Sequence, residues 1–477
     1  MLSGVIWVAL SRIILGLAPL ITLPALTRAF APEWYGVWAQ ILITNSFIVP
    51  LLGMGLDMGV IRYFAVGFTE EERVRDFYSM GAFIFLAGAA ILGIAYFNSG
   101  FLSFVMFSER NLGSLSVLTF IWVTVQALYN YLISFFRVTN HIKTYAVFDM
   151  INGLISALLM VSVPLLSHSV EKLVIALIIN QAFFMTLFTV IIHSKIGFKG
   201  ISFRNITKYL KYGLPLVPNS FFLWMVNSSG RYFLTHFRGL ADVGIYAAGM
   251  TIANVMTLFF MPISFVLFPV ISKLWEEENH DEVRNKISLA NLWYLALAIP
   301  GALGLSFLAK PIVGLISAKD FQGSADIILL LTIANLFYGV YQINLYGLLL
   351  LQKNIYLTSL FAAAGVLNIL LNFGLVPIMG TRGAALAMGL SFFLLAMSVL
   401  AWSKREIHFN LHLPDYLKLL FSALLMLGFL WLWRVLVPEG GVFQLLLQIM
   451  LGALVYLLLI AVTGVLDLKT LYRRVFG

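Results

Sequence analysis

Apolar runs of about 20 residues recur along the whole chain, parted by short segments that collect proline, glycine and charge. Each run is long enough to cross, as a helix, a hydrocarbon core about 30 Å thick. The pattern predicts fourteen spans, at 4–26, 37–65, 78–97, 112–136, 144–166, 170–193, 213–235, 244–272, 288–309, 325–351, 355–379, 382–402, 416–437 and 443–465. All are expected to be helical, because lipid offers no partner to an unpaired backbone group. The first run could pass for a secretory signal. Arg12 interrupts it, however, the run is too long, and no small-residue cleavage site follows cleanly, so it reads as a retained helix.

The pattern also repeats. Leu26-Thr27 and Gly36 reappear 208 residues on as Leu234-Thr235 and Gly244. Glu72-Arg73-Val74-Arg75 is echoed by Asp281-Glu282-Val283-Arg284, and Ile142 with Val163-Pro164 by Ile355 with Val376-Pro377. Each repeat unit holds six spans, an even number, so both halves run in the same sense, as parallel lobes related by an axis along the membrane normal. The expected fold is an all-α polytopic membrane protein in three parts. Residues 1–200 carry spans 1–6, residues 201–412 carry spans 7–12 behind an interfacial helix, and residues 413–477 carry spans 13–14 and a tail.

Composition sharpens this. Of 477 residues, 61% are hydrophobic and 11% charged, whereas a soluble domain carries about 25% charged residues. With no cysteine, disulfides, thiol catalysis and cysteine metal sites are excluded. The net charge of +9 does not point to nucleic acid, since the bases sit in short loops between apolar runs. With the N-terminus inside, 19 Lys and Arg fall on the cytoplasmic side and 8 on the other, which places both termini in the cytoplasm. The segment Ser194–Tyr212 sets Ile201, Phe203, Ile206, Tyr209 and Leu210 among Arg204, Lys208 and Lys211, and reads as an amphipathic helix on an anionic leaflet. The charge runs Glu70–Asp76 and Glu276–Glu282 read as solvated loops.

Ionisable side chains inside spans are few: Arg12, Asp57, Arg62, Asp149 and Arg231. Such groups are costly in lipid and usually face a protein interior or wet cavity. A guanidinium binds pyrophosphate through paired, charge-assisted hydrogen bonds, so Arg12, Arg62 and Arg231 are candidates for a cationic substrate cavity. Asp57 and Asp149 could couple transport to a proton or sodium ion, or neutralise the arginines. The amides Gln126, Asn130, Asn152, Asn368 and Asn372 could hold sugar hydroxyls or join helices together. No HExxH, P-loop or nucleophile-elbow motif is present, and the seven histidines lack metal-ligand spacing. An enzyme is not expected.

The most specific stretch is Gly365–Ser391. Asn368 and Asn372 lie on one helical face, the helix is expected to stop near Pro377, and a Gly380-Thr381-Arg382-Gly383 turn leads into Ala384-Ala385. This pattern, with Leu26–Pro32 leading into Tyr35-Gly36, and Val243–Ala248, resembles the Wzx-type polysaccharide flippases. Their superfamily also holds the MATE drug exporters and the lipid II flippases. The resemblance implies a MATE-like fold in a bacterial or archaeal cytoplasmic membrane. It implies alternating access that flips a polyprenyl-pyrophosphate-linked oligosaccharide for surface polysaccharide synthesis. It further implies no cofactor beyond a coupling ion, H+ or Na+, and partnership with a polysaccharide polymerase and chain-length machinery. Many relatives carry an acid before the basic residue late in span 7, where this chain has Gly230-Arg231, and that departure weighs against a coupling role at this position. A MATE-like cation-coupled exporter and a lipid II flippase are the alternative readings. The first would want an acid-dominated cavity.

Overall fold

The computed structural model describes residues 2–63, 69–437 and 441–465, and among them it is helical with no strand. In chain order the helices are α1 (Leu2–Ala29), α2 (Pro32–Gly53), α3 (Leu56–Tyr63), α4 (Glu70–Phe97), α5 (Ser99–Phe107), α6 (Gly113–Val138), α7 (Ile142–Ser167) and α8 (Val170–Ile196). There follow α9 (Ile206–Gly213), α10 (Val217–Phe237), α11 (Leu240–Ala253), α12 (Thr257–Glu276), α13 (His280–Phe307) and α14 (Ala309–Ile316). The last are α15 (Ile328–Leu350), α16 (Asn354–Met379), α17 (Thr381–Ile407), α18 (Leu413–Leu436) and α19 (Gly441–Val462). Thirteen helical stretches in the described residues are long and apolar enough to cross a membrane. The seventh expected span is also a helix, α10, but Asn219, Asn227, Ser228, Ser229 and Arg231 dilute its apolar content.

The repeat seen in the sequence governs the order of helices. α1 to α8 return in order, about 210 residues later, as α10 to α17, down to the short α5, whose counterpart is α14. Both copies of the acidic-x-Val-Arg motif begin a long helix. Thr69 caps α4 through the amide of Glu72, and Asn279 caps α13 through that of Glu282. An oxygen at the N-cap takes up an amide the first turn leaves unpaired. Of the acids expected in solvated loops, Glu70, Glu71, Glu72, Asp281 and Glu282 therefore belong to the first turns of helices, while Glu276 ends α12.

Two compact units emerge, residues 1–247 with 368–384, and residues 248–367 with 385–477. In the first, α6 is the axle, packing against α2, α3, α4, α5, α7 and α8. Its apolar face contributes Val123, Ala127, Ile133 and Phe136 to a core completed by Phe77 and Met80 of α4 and Phe184 and Phe188 of α8. In the second unit α13 has the central place, between α12, α15 and α18, with Tyr294 fully buried and its hydroxyl donating to the backbone of Leu336 at 2.9 Å.

Three details differ from expectation. Span 2 is not one rod. Met54 and Gly55 are both left-handed (φ 48° and 65°), which ends α2 and starts α3 afresh. The backbone of Gly213 lies against Gly55 there, leaving no room for a Cβ at either residue. The helix bearing Asn368 and Asn372 runs two residues past Pro377, to Met379, and turns on Gly380 alone (φ 57°). It can do so because Arg238 donates to the carbonyls of Pro377 (2.8 Å) and Ile378 (3.0 Å), groups a helix end leaves unpaired. Finally, Asp76 is not solvated but buried, as taken up below.

Candidate functional site

The site is best built from α10, whose sequence Trp224–Thr235 sets bonding groups at helical spacing. Three residues clip this helix to α2. Trp224 donates from Nε1 to the carbonyl of Ile43 at 3.1 Å, and its ring stacks on Phe47 with centroids 4.3 Å apart. The Tyr232 hydroxyl meets Thr44 Oγ1 at 2.6 Å. Gln40 donates from Nε2 to Thr235 Oγ1 and, at 3.0 Å, to the carbonyl of Met106. Residues 224, 232 and 235 recur on one face, so a single stripe of the helix is held along its length.

Arg231 lies beside that stripe. Its guanidinium carbon sits 5.9 Å from the centre of the Tyr246 ring, within cation–π range, and Tyr35 is near enough to act on its charge. Its Nε is sealed from solvent with no hydrogen-bond partner, although the residue as a whole keeps some accessible surface. Among the described residues it forms no ion pair. A cation held this way in a span is uncompensated, at a cost of roughly 3 kcal/mol or more relative to an apolar side chain.

Two residues earlier, on the opposite side of the same helix, Ser229 donates to Asn368 Oδ1 at 2.9 Å, and Asn372 Nδ2 donates to the same oxygen at 2.8 Å. Both asparagines are buried, so the face expected from their spacing points into protein. Asn372 Oδ1 is left without a donor and faces Gly230, where a Cβ would lie 3.0 Å away. An acid at 230 would bring one acceptor against another.

The other expected residues fall in separate places within this unit. Arg12 on α1 is exposed and its charge acts on Asp149, half-buried on the neighbouring α7. Asp57 and Arg62 lie on α3, and their side chains are outside the described residues. Gln126 donates to Asn130 at 3.1 Å on α6. Asn130 lines a cleft of about 340 Å³ at the α2–α3 break, with Gly53, Gly55, Met58 and Ser220. Asn152 accepts from Asn180 at 2.8 Å, tying α7 to α8. Gln40 and Thr44 went unremarked in the sequence, whereas Tyr35 and Tyr246 stand in the motifs that carry the resemblance, without a role at this site having been expected of them. Among the described residues no group of three or more metal-ligating side chains is assembled.

Sequence comparison matches residues 25–326 to a family described as polysaccharide biosynthesis protein. A probable low-salt glycan biosynthesis flippase of Haloferax volcanii, Agl15, is 24% identical over 254 residues, 53% of each chain, so the match spans about half that relative's length. Among solved structures, the lipid II flippase MurJ in an inward closed conformation superposes with a TM-score of 0.81 at 18% identity, over 99% of this chain and 100% of the other. An inward-facing multidrug MATE transporter superposes with a TM-score of 0.61 at 15% identity, over 84% and 98%. The MATE-like fold expected from the motifs is the one observed.

Proposed function

Because this chain belongs to the polysaccharide biosynthesis protein family, we propose that it is a flippase that carries a polyprenyl-pyrophosphate-linked oligosaccharide across a cytoplasmic membrane. The observation that carries the reading is Arg231, a cation inside a span with no carboxylate to pair with and a sealed Nε. A pyrophosphate can supply the missing charge and, through paired hydrogen bonds, the missing partners. Arg12 and Arg62 would meet the same headgroup at other stages, in an alternating-access cycle that leaves the polyprenyl tail in lipid. In this reading no bond is made or broken. The amides Gln126 and Asn130 would offer donors and acceptors to sugar hydroxyls, with Asn130 already at the wall of a cleft. Asn152, Asn368 and Asn372 have taken partners within the protein and would act chiefly in joining helices.

The excess of Lys and Arg on one set of loops, 19 against 8, supports cytoplasmic termini. A polymerase and chain-length machinery would receive the cargo outside. A MATE-like exporter of organic cations is the alternative that the fold allows. An uncompensated arginine opposes it, because a cationic cargo would add repulsion to an unpaired positive charge.

The test is complementation of a deletion strain. Arg231→Ala should abolish surface polysaccharide while the protein still accumulates in the membrane, and Arg231→Lys should restore part of it, since lysine keeps the charge but loses the planar fork. Full export by Arg231→Ala combined with Arg12→Ala would refute the cationic pathway.

A further inference from the structure

The segment after α8 is divided between two faces, and the division points to a ligand. From Ser194 to Tyr212 the chain carries no acid. One part is fastened inward. Asp76 of α4, 3% exposed, accepts from Asn205 Nδ2 at 3.0 Å and from the Tyr209 hydroxyl at 3.1 Å, and Ser79 Oγ accepts from the amide of Ser202 at 2.7 Å. Tyr209, expected on the lipid face, is instead 1% exposed and lies against Gly59. The other part is turned outward. Phe198, Ile201 and Phe203 are 54%, 50% and 43% exposed, and the intervening Lys199 and Arg204, with Lys195, are exposed beside them.

Three outward apolar side chains among three bases, at the end of a membrane-length helix, suit neither water nor hydrocarbon alone. They suit the boundary where phospholipid headgroups begin. We propose that residues 195–204 form a strap that binds anionic phospholipid headgroups. Phe198, Ile201 and Phe203 sink to the acyl boundary, Lys195, Lys199 and Arg204 hold the phosphates, and Asp76 positions the strap from the protein side. The Ser79 hydroxyl holds the strap itself at the Ser202 amide, and buried Asp76 fixes Asn205 and Tyr209 just beyond its end, which explains why the segment keeps a defined outward face without a long helix of its own. Charge complementarity selects the occupant: each base near an anionic surface raises binding roughly fivefold.

The chain lacks cysteine, so single cysteines at 201, 203 and 207 can be spin-labelled in the otherwise native full-length protein. In bilayers of phosphatidylcholine with phosphatidylglycerol, labels at 201 and 203 should be more accessible to oxygen than to an aqueous nickel chelate, and the label at the exposed Thr207 the reverse. Phosphatidylglycerol should co-purify with the protein, and replacing Lys195, Lys199 and Arg204 together by Gln should lower that preference by about two orders of magnitude, a fivefold loss per charge. Asp76→Ala should raise the mobility of the 203 label. Labels at 201 and 203 that read as water-exposed would overturn the strap. Lipid contact without any preference for phosphatidylglycerol would overturn the headgroup assignment. Neither readout depends on transport activity.

Discussion

Arg231 shows how much a single position owes to its neighbours. Trp224, Tyr232 and Thr235 fasten α10 to α2, and Gln40 extends the link to α5, so the backbone that carries the arginine is held in place. Its neighbour Gly230 gives a milder test of local packing. A methyl there meets Asn372 Oδ1 at 3.0 Å, the end of a side chain that can yield, whereas a methyl at Gly36 meets the carbonyl oxygen of Leu240 at 2.0 Å, fixed backbone. Gly36→Ala should therefore cost about 3 kcal/mol or more, and Gly230→Ala about 1 kcal/mol, within the range for overpacking. Thermal unfolding in detergent would rank them, and equal losses would mean the α2–α11 backbones can separate freely. Intramembrane arginines and paired asparagines were legible from the sequence because residue type and helical spacing reveal them. The unpaired state of Arg231 was not, because it depends on what other helices bring near, Tyr35 and Tyr246 rather than a carboxylate.

Among the elements, the linker between the repeats departs furthest from its pattern. An amphipathic reading assigns Tyr209 and Ile201 to one face, and periodicity could not foresee that Asp76, 133 residues before Tyr209, would draw the tyrosine inward. The same long-range contact turned an acid expected in a solvated loop into a buried anchor. Removing it should free the segment: in Asp76→Ala, trypsin should cut at Lys199 or Arg204 several times faster than in the parent, with the spans intact. Unchanged cleavage would show that Ser79 and the α9 contacts suffice. The α2–α3 break was likewise hidden. The left-handed angle at Met54, which ends the helix, is imposed by packing rather than by residue type.

Across the whole molecule, the repeat read from three short matches extends to the order of sixteen helices, and one contact shows its geometry. A Cβ on Gly36 would strike the carbonyl of Leu240, and a Cβ on Gly244 the carbonyl of Pro32, both at 2.0 Å, and the equivalent residues, Gly36 with Gly244 and Pro32 with Leu240, are each 208 apart in the chain. Equivalent residues exchange equivalent contacts, as across a two-fold axis. Such duplication suits a machine that exposes one site to either leaflet in turn. The decisive measurement is leaflet-resolved analysis of polyprenyl-linked oligosaccharide in a host deleted for this chain and complemented with the parent or with Arg231→Ala. We expect complete lipid-linked units to accumulate facing the cytoplasm in the deletion and in the alanine variant, and to clear with the parent. Complete units reaching the outer leaflet without the protein would contradict the flippase reading.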